Sequence, residues 1–233
     1  MKTFALLAIS GISLCAAPVI KAQKAESPWT FGVKAGINSS TFNIGNGSTP
    51  NNTDGIIGFN GGVTMEYALR NGFFLSSGLE FTTKGADNGT SSYLSPAPNS
   101  LTYTLSKDSR RLKYLQLPLT VGYRVPLSKD VNVTFNAGGY FAYGISGKGT
   151  YETWEVSRNE DGTTSVTSNR YESKKSGDTD YGLLGGVGLE YKRFSFNFNY
   201  ELGLRTLHTG SASSGMNTGW KNRNAAFTVG YKF

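Results

Sequence analysis

Cysteine and histidine are nearly absent from this 233-residue chain, which contains one of each. Cys15 lies among the first 22 residues, and His208 has no second histidine to join it in a site. Zinc sites in proteins are built largely from clusters of these two residue types. The sequence therefore predicts no metal site and no cofactor, and it predicts no disulfide in the mature chain.

Long hydrophobic runs are also lacking. The apolar stretch Phe4 to Leu14 is too short for a membrane-spanning helix. It follows Lys2 and precedes small residues that end at Ala22, which predicts a signal peptide over residues 1–22, Sec-type export and a mature domain over 23–233. A lipoprotein signal is the alternative, but Leu14 stands before Cys15 where such signals carry a small residue.

The charge is basic, with 23 Lys and Arg against 16 Asp and Glu. These cations are scattered among loops and strand ends, without a basic stripe or a nucleic-acid-binding motif. The sequence therefore does not predict a nucleic-acid partner. Weak attraction of basic loops to anionic lipopolysaccharide is the expected consequence.

Strict alternation of apolar residues with small or polar residues is what the chain has in abundance. The C-terminal stretch alternates Phe227, Val229, Tyr231 and Phe233 with Thr228, Gly230 and Lys232. A period of two indicates a β-strand with chemically opposite faces. Seven earlier segments repeat the pattern, at about 29–37, 57–68, 73–84, 115–125, 131–145, 181–191 and 194–204. Strands of about ten residues suit a tilted bilayer crossing.

The connections between these segments alternate in length. Short ones lie at 69–72, where Asn71-Gly72 is a tight-turn signal, at 126–130 and at 192–193. Long ones are expected as loops over 38–56, 85–113, 146–180 and 205–223. Short turns on one side and long loops on the other are typical of outer-membrane barrels, with the turns in the periplasm and the loops outside the cell.

Two features indicate that the apolar face points outward into lipid. The opposite face is rich in Gly, Asn, Ser and Thr, which suit a crowded interior, and aromatic residues collect near both strand ends, as in membrane girdles. A soluble barrel with an apolar interior is the alternative. The predicted fold is all-β: an eight-stranded antiparallel up-and-down transmembrane β-barrel in the outer membrane of a Gram-negative cell. Its C-terminal Phe227, Tyr231 and Phe233 are expected to form the membrane-insertion signal for the barrel-assembly machinery.

Three segments carry a family resemblance. They are Tyr114-Leu-Gln-Leu-Pro-Leu-Thr-Val-Gly-Tyr-Arg124, Asp180-Tyr-Gly-Leu-Leu-Gly-Gly-Val-Gly-Leu-Glu190 and Asn199-Tyr-Glu-Leu-Gly-Leu204. They resemble strands of the porin-family or PorT-like outer-membrane β-barrel proteins common in Bacteroidetes. The resemblance implies the barrel and admits an accessory role in protein secretion. Gln116 stands where that family usually has an acid, and Pro118, which lacks an N–H, predicts a local bulge.

Charged residues on the inward faces are the main site candidates. They are expected to form a lumen charge network of Lys34, Glu66, Glu80, Lys84, Arg124, Glu190, Glu201 and Lys232. Ion pairs that fill a narrow barrel are the favoured interpretation, because eight strands leave no open channel once side chains occupy the interior. A path for protons or small solutes is the alternative. Glu80 with Glu201 is a further candidate, for a catalytic carboxylate pair, although the sequence shows no substrate cleft.

The loops hold the remaining candidates. Segments 150–156 and 163–171 flank a hairpin signal at 159–162. Tyr151 and Trp154 in the first segment are expected to bind an extracellular or secretion-system protein by edge addition, with loop self-packing as the alternative. His208 with Ser211, Ser213 and Ser214 is the weaker candidate for an enzyme built on the loops. The sequence therefore predicts a non-enzymatic outer-membrane protein with a structural, adhesive or secretion-accessory role, and a narrow solute channel as the main alternative.

Overall fold

The computed structural model describes residues 27–44, 51–52, 54–97, 100–159, 162–208 and 219–233. The signal peptide predicted over residues 1–22 lies outside the described residues. The described strands are β1 (Trp29–Ile44), β2 (Asn51–Asn52), β3 (Asp54–Ala68), β4 (Phe73–Ala97), β5 (Ser100–Pro126), β6 (Val131–Asn159), β7 (Thr164–Lys175), β8 (Thr179–Tyr191), β9 (Phe194–Gly203), β10 (Leu207–His208) and β11 (Gly219–Lys232). Within the described residues, no helix has the length and hydrophobicity needed to span a lipid bilayer.

The long strands form a closed antiparallel ring. Around it the order is β1, β3, β4, β5, β6, β8, β9 and β11, and β11 pairs with β1 from Gly32↔Lys232 to Ile44↔Trp220. In the described part of the chain the ring thus has eight strands, as predicted. The two-residue strands β2 and β10 extend its edges, and β7 pairs with β6 outside the ring.

The turn at one end of the ring confirms the tight-turn prediction. Asn71 and Gly72 both have positive φ, at 58° and 82°, and the Phe73 N–H donates to the Arg70 carbonyl. Two central residues with positive φ match the right-handed twist of the flanking strands. The turn therefore fixes the register of β3 against β4, and with it which side chains face the lumen.

The two faces of the ring are chemically opposite, as the alternation predicts. Outward side chains such as Phe135 and Val187 are about half exposed, at 49% and 47%, because they point away from the ring and no other strand packs over them. Most of the inward residues in mid-barrel are polar or glycine, and many are nearly inaccessible. The aromatic residues pair at the short-turn end, with Trp29 and Tyr67 centroids 4.7 Å apart and those of Phe73 and Tyr123 4.9 Å apart.

The expectation that 85–113 is a loop is wrong. β4 and β5 remain paired as far as Ala97↔Ser100, and β5 remains paired with β6 as far as Ser100↔Asn159. The predicted hairpin beyond β6 is confirmed, because β7 pairs with β6 from Gly147↔Lys175 to Arg158↔Thr164. Three ring strands, β4, β5 and β6, thus continue beyond the ring and form one sheet with β7, here called the extracellular sheet.

The sequence does not predict the extracellular sheet, because its strands do not alternate between apolar and polar residues. Residues 85–92 and 106–113 are mostly polar or small, so their alternation carries no apolar signal. The bulge predicted at Pro118 is also wrong. Pro118 pairs with Tyr140 without a register shift, and the shift lies between Lys113 and Tyr114 instead.

Arginine substitutions on the outward face of β8 test the assignment of that face to lipid and of the opposite face to the lumen. Val187 lies near the middle of β8, and Tyr181 lies on the same face close to its outer end. Arginine at the bilayer midplane costs about 2–4 kcal/mol and near an interface about 0–1 kcal/mol. We expect Val187→Arg to lower the free energy of unfolding in lipid vesicles by the larger amount and Tyr181→Arg by the smaller one, measured by urea titration.

Equal losses at the two depths would contradict the assignment. Val187→Ala is the matched control for lost volume. The lumen-facing Gly186 is unsuitable as a neutral control, because a Cβ there would lie 2.5 Å from the Phe198 carbonyl oxygen.

Candidate functional site

Four charged side chains close the lumen near the short-turn end. Arg124 on β5 donates from Nε to Glu190 at 2.7 Å and from its terminal nitrogen to Glu66. Lys232 on β11 donates to Glu66 at 2.8 Å and to Glu190 at 2.6 Å. Each cation therefore touches both carboxylates, and this group, the lower network, has no net charge.

Packing beside the lower network holds the Arg124 guanidinium in place. The Phe74 ring centroid lies 5.0 Å from the guanidinium carbon. Gly122 on the neighbouring strand makes room for this ring, since a Cβ there would lie 2.2 Å from it. The aromatic ring and the ion pairs thus block the same cross-section of the lumen.

A cavity of about 100 Å³ lies above the lower network. Its lining is mostly polar and includes Thr64, Ser76, Thr120, Asn136, Asn197 and Asn199. Lys34 on β1 and Glu80 on β4 form an ion pair at its wall, with side-chain exposures of 17% and 5%. The cavity is large enough for a few water molecules.

A second closure, the upper network, is centred on Lys84. This side chain is fully buried, and its Nζ lies 2.8 Å from a Glu201 oxygen and 3.7 Å from an Asp180 oxygen. The ring centroid of Tyr140 lies 4.0 Å from the same nitrogen. Both carboxylates are also buried, so this part of the lumen holds charges almost without water.

Amides complete the upper network. Gln116 donates to Glu201 at 2.7 Å, Asn224 donates to the other Glu201 oxygen at 3.1 Å, and Asn222 donates to Asp180 at 2.8 Å. Gln116 is the position at which the sequence resemblance implies an acid. An amide suits this position because its NH₂ donates to a carboxylate, whereas a second carboxylate would repel it.

All eight charged residues of the predicted lumen charge network therefore lie in ion pairs, at three heights. The sequence does not predict the role of Asp180, because the apolar alternation begins only at Tyr181 and places residue 180 in a loop. It also missed Tyr114 and Tyr140, inward aromatic residues that pack as a buried cluster with Ala142. Glu80 and Glu201 do not form the predicted carboxylate pair. Glu80 pairs with Lys34, and Glu201 pairs with Lys84.

The structure describes the remaining predicted site residues only in part. His208 lies in β10, but its side chain and the predicted partners Ser211, Ser213 and Ser214 lie outside the described part of the chain. Within the described residues, no group of three or more His, Cys, Asp or Glu is placed to hold a metal. Phe227 and Phe233 face outward and are 49% and 65% exposed, and Tyr231 is half-buried beside Phe194 and Phe233.

The extracellular sheet carries a row of exposed apolar side chains on its outer face. Register places Leu94 opposite Tyr103, Tyr103 opposite Val156, and Val156 opposite Val166, one residue from each strand. Their exposures are 58%, 43%, 37% and 68%. We call these four residues the distal apolar patch. Trp154 lies beside it on the same face, whereas Tyr151 is on the opposite face, because the two differ by an odd number of positions in one strand.

Comparison with known protein families identifies the family of this chain. Residues 21–209 match the family model described as outer membrane protein beta-barrel domain. The chain belongs to this family. It is an outer-membrane β-barrel protein of a Gram-negative envelope. No curated protein sequence matches it significantly.

Solved structures of outer-membrane barrels are similar over most of the chain. Ail, the attachment invasion locus protein of Yersinia pestis, is 14% identical with a TM-score of 0.37, over 88% of this chain and 98% of that one. Neisserial surface protein A is 14% identical with a TM-score of 0.33, over 87% and 97%. The N-terminal β-barrel domain of Pseudomonas aeruginosa OprF is 12% identical with a TM-score of 0.29, over 87% and 97%.

Proposed function

We propose that this protein is a non-enzymatic scaffold whose closed barrel anchors the extracellular sheet for binding a protein partner. Its role is structural, adhesive or accessory to secretion, and the resemblance to the PorT-like proteins of Bacteroidetes supports the last of these. The distal apolar patch is the observation that carries the proposal. Four exposed apolar side chains in register, far from the lipid, are unusual on a water-facing surface and mark interaction sites.

The position of the patch separates it from the membrane. On β5 the outer-face residues Lys113, Arg111, Ser109 and Lys107 lie between the last lipid-facing residue and the patch. At about 3.3 Å per residue, Tyr103 lies about 40 Å along the strand from Leu115. The patch therefore meets solvent or another protein rather than lipid tails.

The free edge of β7 supplies a second element of recognition. In the described residues β7 pairs only with β6, so its other edge offers backbone N–H and C=O groups to an added strand. Val166 is on this edge strand and belongs to the patch. A partner strand added to β7, with apolar residues in alternate positions, would pair with the free backbone edge and also cover the distal apolar patch.

A pair of substitutions on β7 tests the partner site. Val166 and Thr167 are neighbours, both exposed, on opposite faces of the strand. Cells with wild-type protein, Val166→Asp or Thr167→Asp are treated with a crosslinker, and the attached proteins are identified. We expect a specific extracellular protein with wild type and Thr167→Asp, and its loss with Val166→Asp. Identical crosslinking by all three proteins would reject the patch as the binding surface.

The filled lumen predicts a barrel without steady conductance. The lower network and the upper network each block the lumen, and the cavity between them is about 100 Å³. A filled eight-stranded barrel has no continuous water column. We expect no stable conductance from the wild type in planar bilayers. A steady open conductance whose ion selectivity changes in Arg124→Ala would favour the alternative function, a narrow solute channel.

Other parts of the proposal concern assembly and surroundings. We propose Sec-type export after cleavage of residues 1–22 and insertion by the barrel-assembly machinery through Phe227, Tyr231 and Phe233. Outer-membrane lipid and lipopolysaccharide are the proposed lipid partners. An enzyme built around His208 is the least supported alternative, and an unchanged hydrolase or acyltransferase activity in His208→Ala would exclude it.

A further inference from the structure

The outer face of β5 changes from apolar to basic at a defined height. From Val125 to Leu115 its outward residues are apolar, and the next two are Lys113 and Arg111, both exposed. This apolar segment advances about 33 Å at about 3.3 Å per residue. A strand tilt of about 40° reduces that rise to about 25 Å, the height of the lipid-facing band of outer-membrane barrels. Lys113 and Arg111 therefore lie at the level of the outer-leaflet headgroups.

Register extends the basic surface across two more strands. Arg111 is opposite Lys148 on β6, and Lys148 is opposite Lys174 on β7. Side chains of directly opposite residues share a face, with Cβ atoms about 4.5–5.5 Å apart. Lys148 and Lys174 are exposed like the two residues on β5. We call Arg111, Lys113, Lys148 and Lys174 the basic row.

A break in register is what brings Lys148 into the basic row. Between β5 and β6 the pairing moves from Tyr114↔Gly144 to Lys113↔Ser146, which leaves Ile145 without an opposite residue. Without this extra residue, Gly147 would be opposite Arg111 and Lys148 would point to the inner face. Such bulges re-aim side chains where a function needs them.

Little negative charge offsets the basic row. Lys148 has an ion pair with Glu172 at 2.9 Å, and Arg170 lies 3.0 Å from the same carboxylate. The hydrogen bond from Lys148 lowers the pKa of the Glu172 carboxyl below its usual value, so Glu172 stays charged. Among the described residues, no carboxylate lies at ion-pair distance from Arg111, Lys113 or Lys174. Three cations are thus available to a ligand.

We propose that the basic row binds the phosphate groups of a phosphorylated lipid A in the outer leaflet. Arginine and lysine are the usual phosphate ligands, the first through its planar fork and the second as a point charge. Leu115, Phe141 and Tyr143 continue the same surface into the lipid-facing band, where the acyl chains would lie. The inference deepens the proposed contact with lipopolysaccharide and is independent of the protein partner.

Titration of the detergent-solubilised full-length protein with hexa-acylated bisphosphoryl lipid A, followed by native mass spectrometry, tests the site. The test variant is Arg111→Gln/Lys113→Gln/Lys148→Gln. The matched control, Lys107→Gln/Lys129→Gln/Arg158→Gln, removes the same charge from positions farther along the extracellular sheet and in a short turn, away from the outer-leaflet headgroups. Each basic residue near an anionic lipid surface strengthens binding severalfold, so the loss of three should be readily measured. We expect at least about tenfold weaker binding in the test variant and less than about twofold in the control.

Further arms identify the ligand. A lipid A without phosphates should bind wild type and test variant alike, and millimolar inorganic phosphate should leave bound lipid A in place. Three results would overturn the proposal: equal weakening in the control, equal weakening for the phosphate-free lipid, or displacement by inorganic phosphate. Val166 and the lumen are unchanged in both variants, so partner crosslinking and the absence of conductance remain separate tests of the proposed function.

Discussion

Lys84→Met is expected to cause the largest loss of stability of the charge substitutions proposed for this barrel. Met keeps most of the length and apolar stem of the side chain but leaves Glu201 and Asp180 without their cation in a buried part of the lumen. Removing one partner of a buried ion pair costs about 3–5 kcal/mol. Two carboxylates depend on Lys84, so we expect the upper end of that range in the free energy of unfolding, measured by urea titration in lipid vesicles.

Neutralising the carboxylates should reverse this loss. Lys84→Met/Glu201→Gln is expected to regain part of the stability, and the addition of Asp180→Asn more, because uncharged amides tolerate the buried site better than unpaired carboxylates do. If the three proteins were equally unstable, the loss would come from packing against Tyr140 rather than from charge.

Arg124→Ala is the second large effect that we expect. It leaves Glu66 and Glu190 sharing Lys232, so the lower network acquires a net negative charge. The side chains here are 10–25% exposed, and we therefore expect about 3 kcal/mol, the lower end of the range for a broken buried pair. Arg70→Ala, at the exposed turn, removes the same side chain where the described residues give it no carboxylate, and it should cost almost nothing.

A double substitution separates charge from packing in the lower network. Arg124→Ala/Glu190→Ala leaves Glu66 paired with Lys232 at 2.8 Å and restores neutrality. We expect the double variant to be more stable than Arg124→Ala alone. An additive loss in the double variant would mean that the contact of Arg124 with Phe74, and not the charge, holds this end of the lumen.

The barrel itself could be predicted because its lipid-facing and lumen-facing residues alternate in hydrophobicity. The membrane makes that alternation obligatory, so Val187 and Gly186 reveal their faces in the sequence alone. Beyond the membrane both faces of the sheet meet polar surroundings. Residues such as Ser109 and Thr150 then carry no periodic signal, although they pair as regularly as those in the bilayer.

The candidate sites, like the fold, could be predicted only in part from the sequence. The sequence predicts which charged residues face inward, since this follows from strand parity. It does not predict that Lys84 pairs with Glu201 rather than with Glu80, because strand tilt and stagger decide which residues lie at one height. The basic row depends on one extra residue at Ile145, and neither the apolar alternation before it nor the polar sequence after it gives a sign of the register shift.

The ion pairs of the lumen also bear on cooperativity, because none of those among the described residues joins neighbouring strands. Lys84 on β4 and Glu201 on β9 are on opposite sides of the ring, and Arg124 on β5 reaches Glu190 on β8 across β6. The backbone ladders can form two strands at a time in an open sheet, but the Lys84 pair can form only once β11 meets β1. When β11 pairs with β1, charged side chains that were hydrated in the open sheet thus become fixed ion pairs in a single event. Partly closed barrels are therefore poorly populated, and assembly is close to all-or-none.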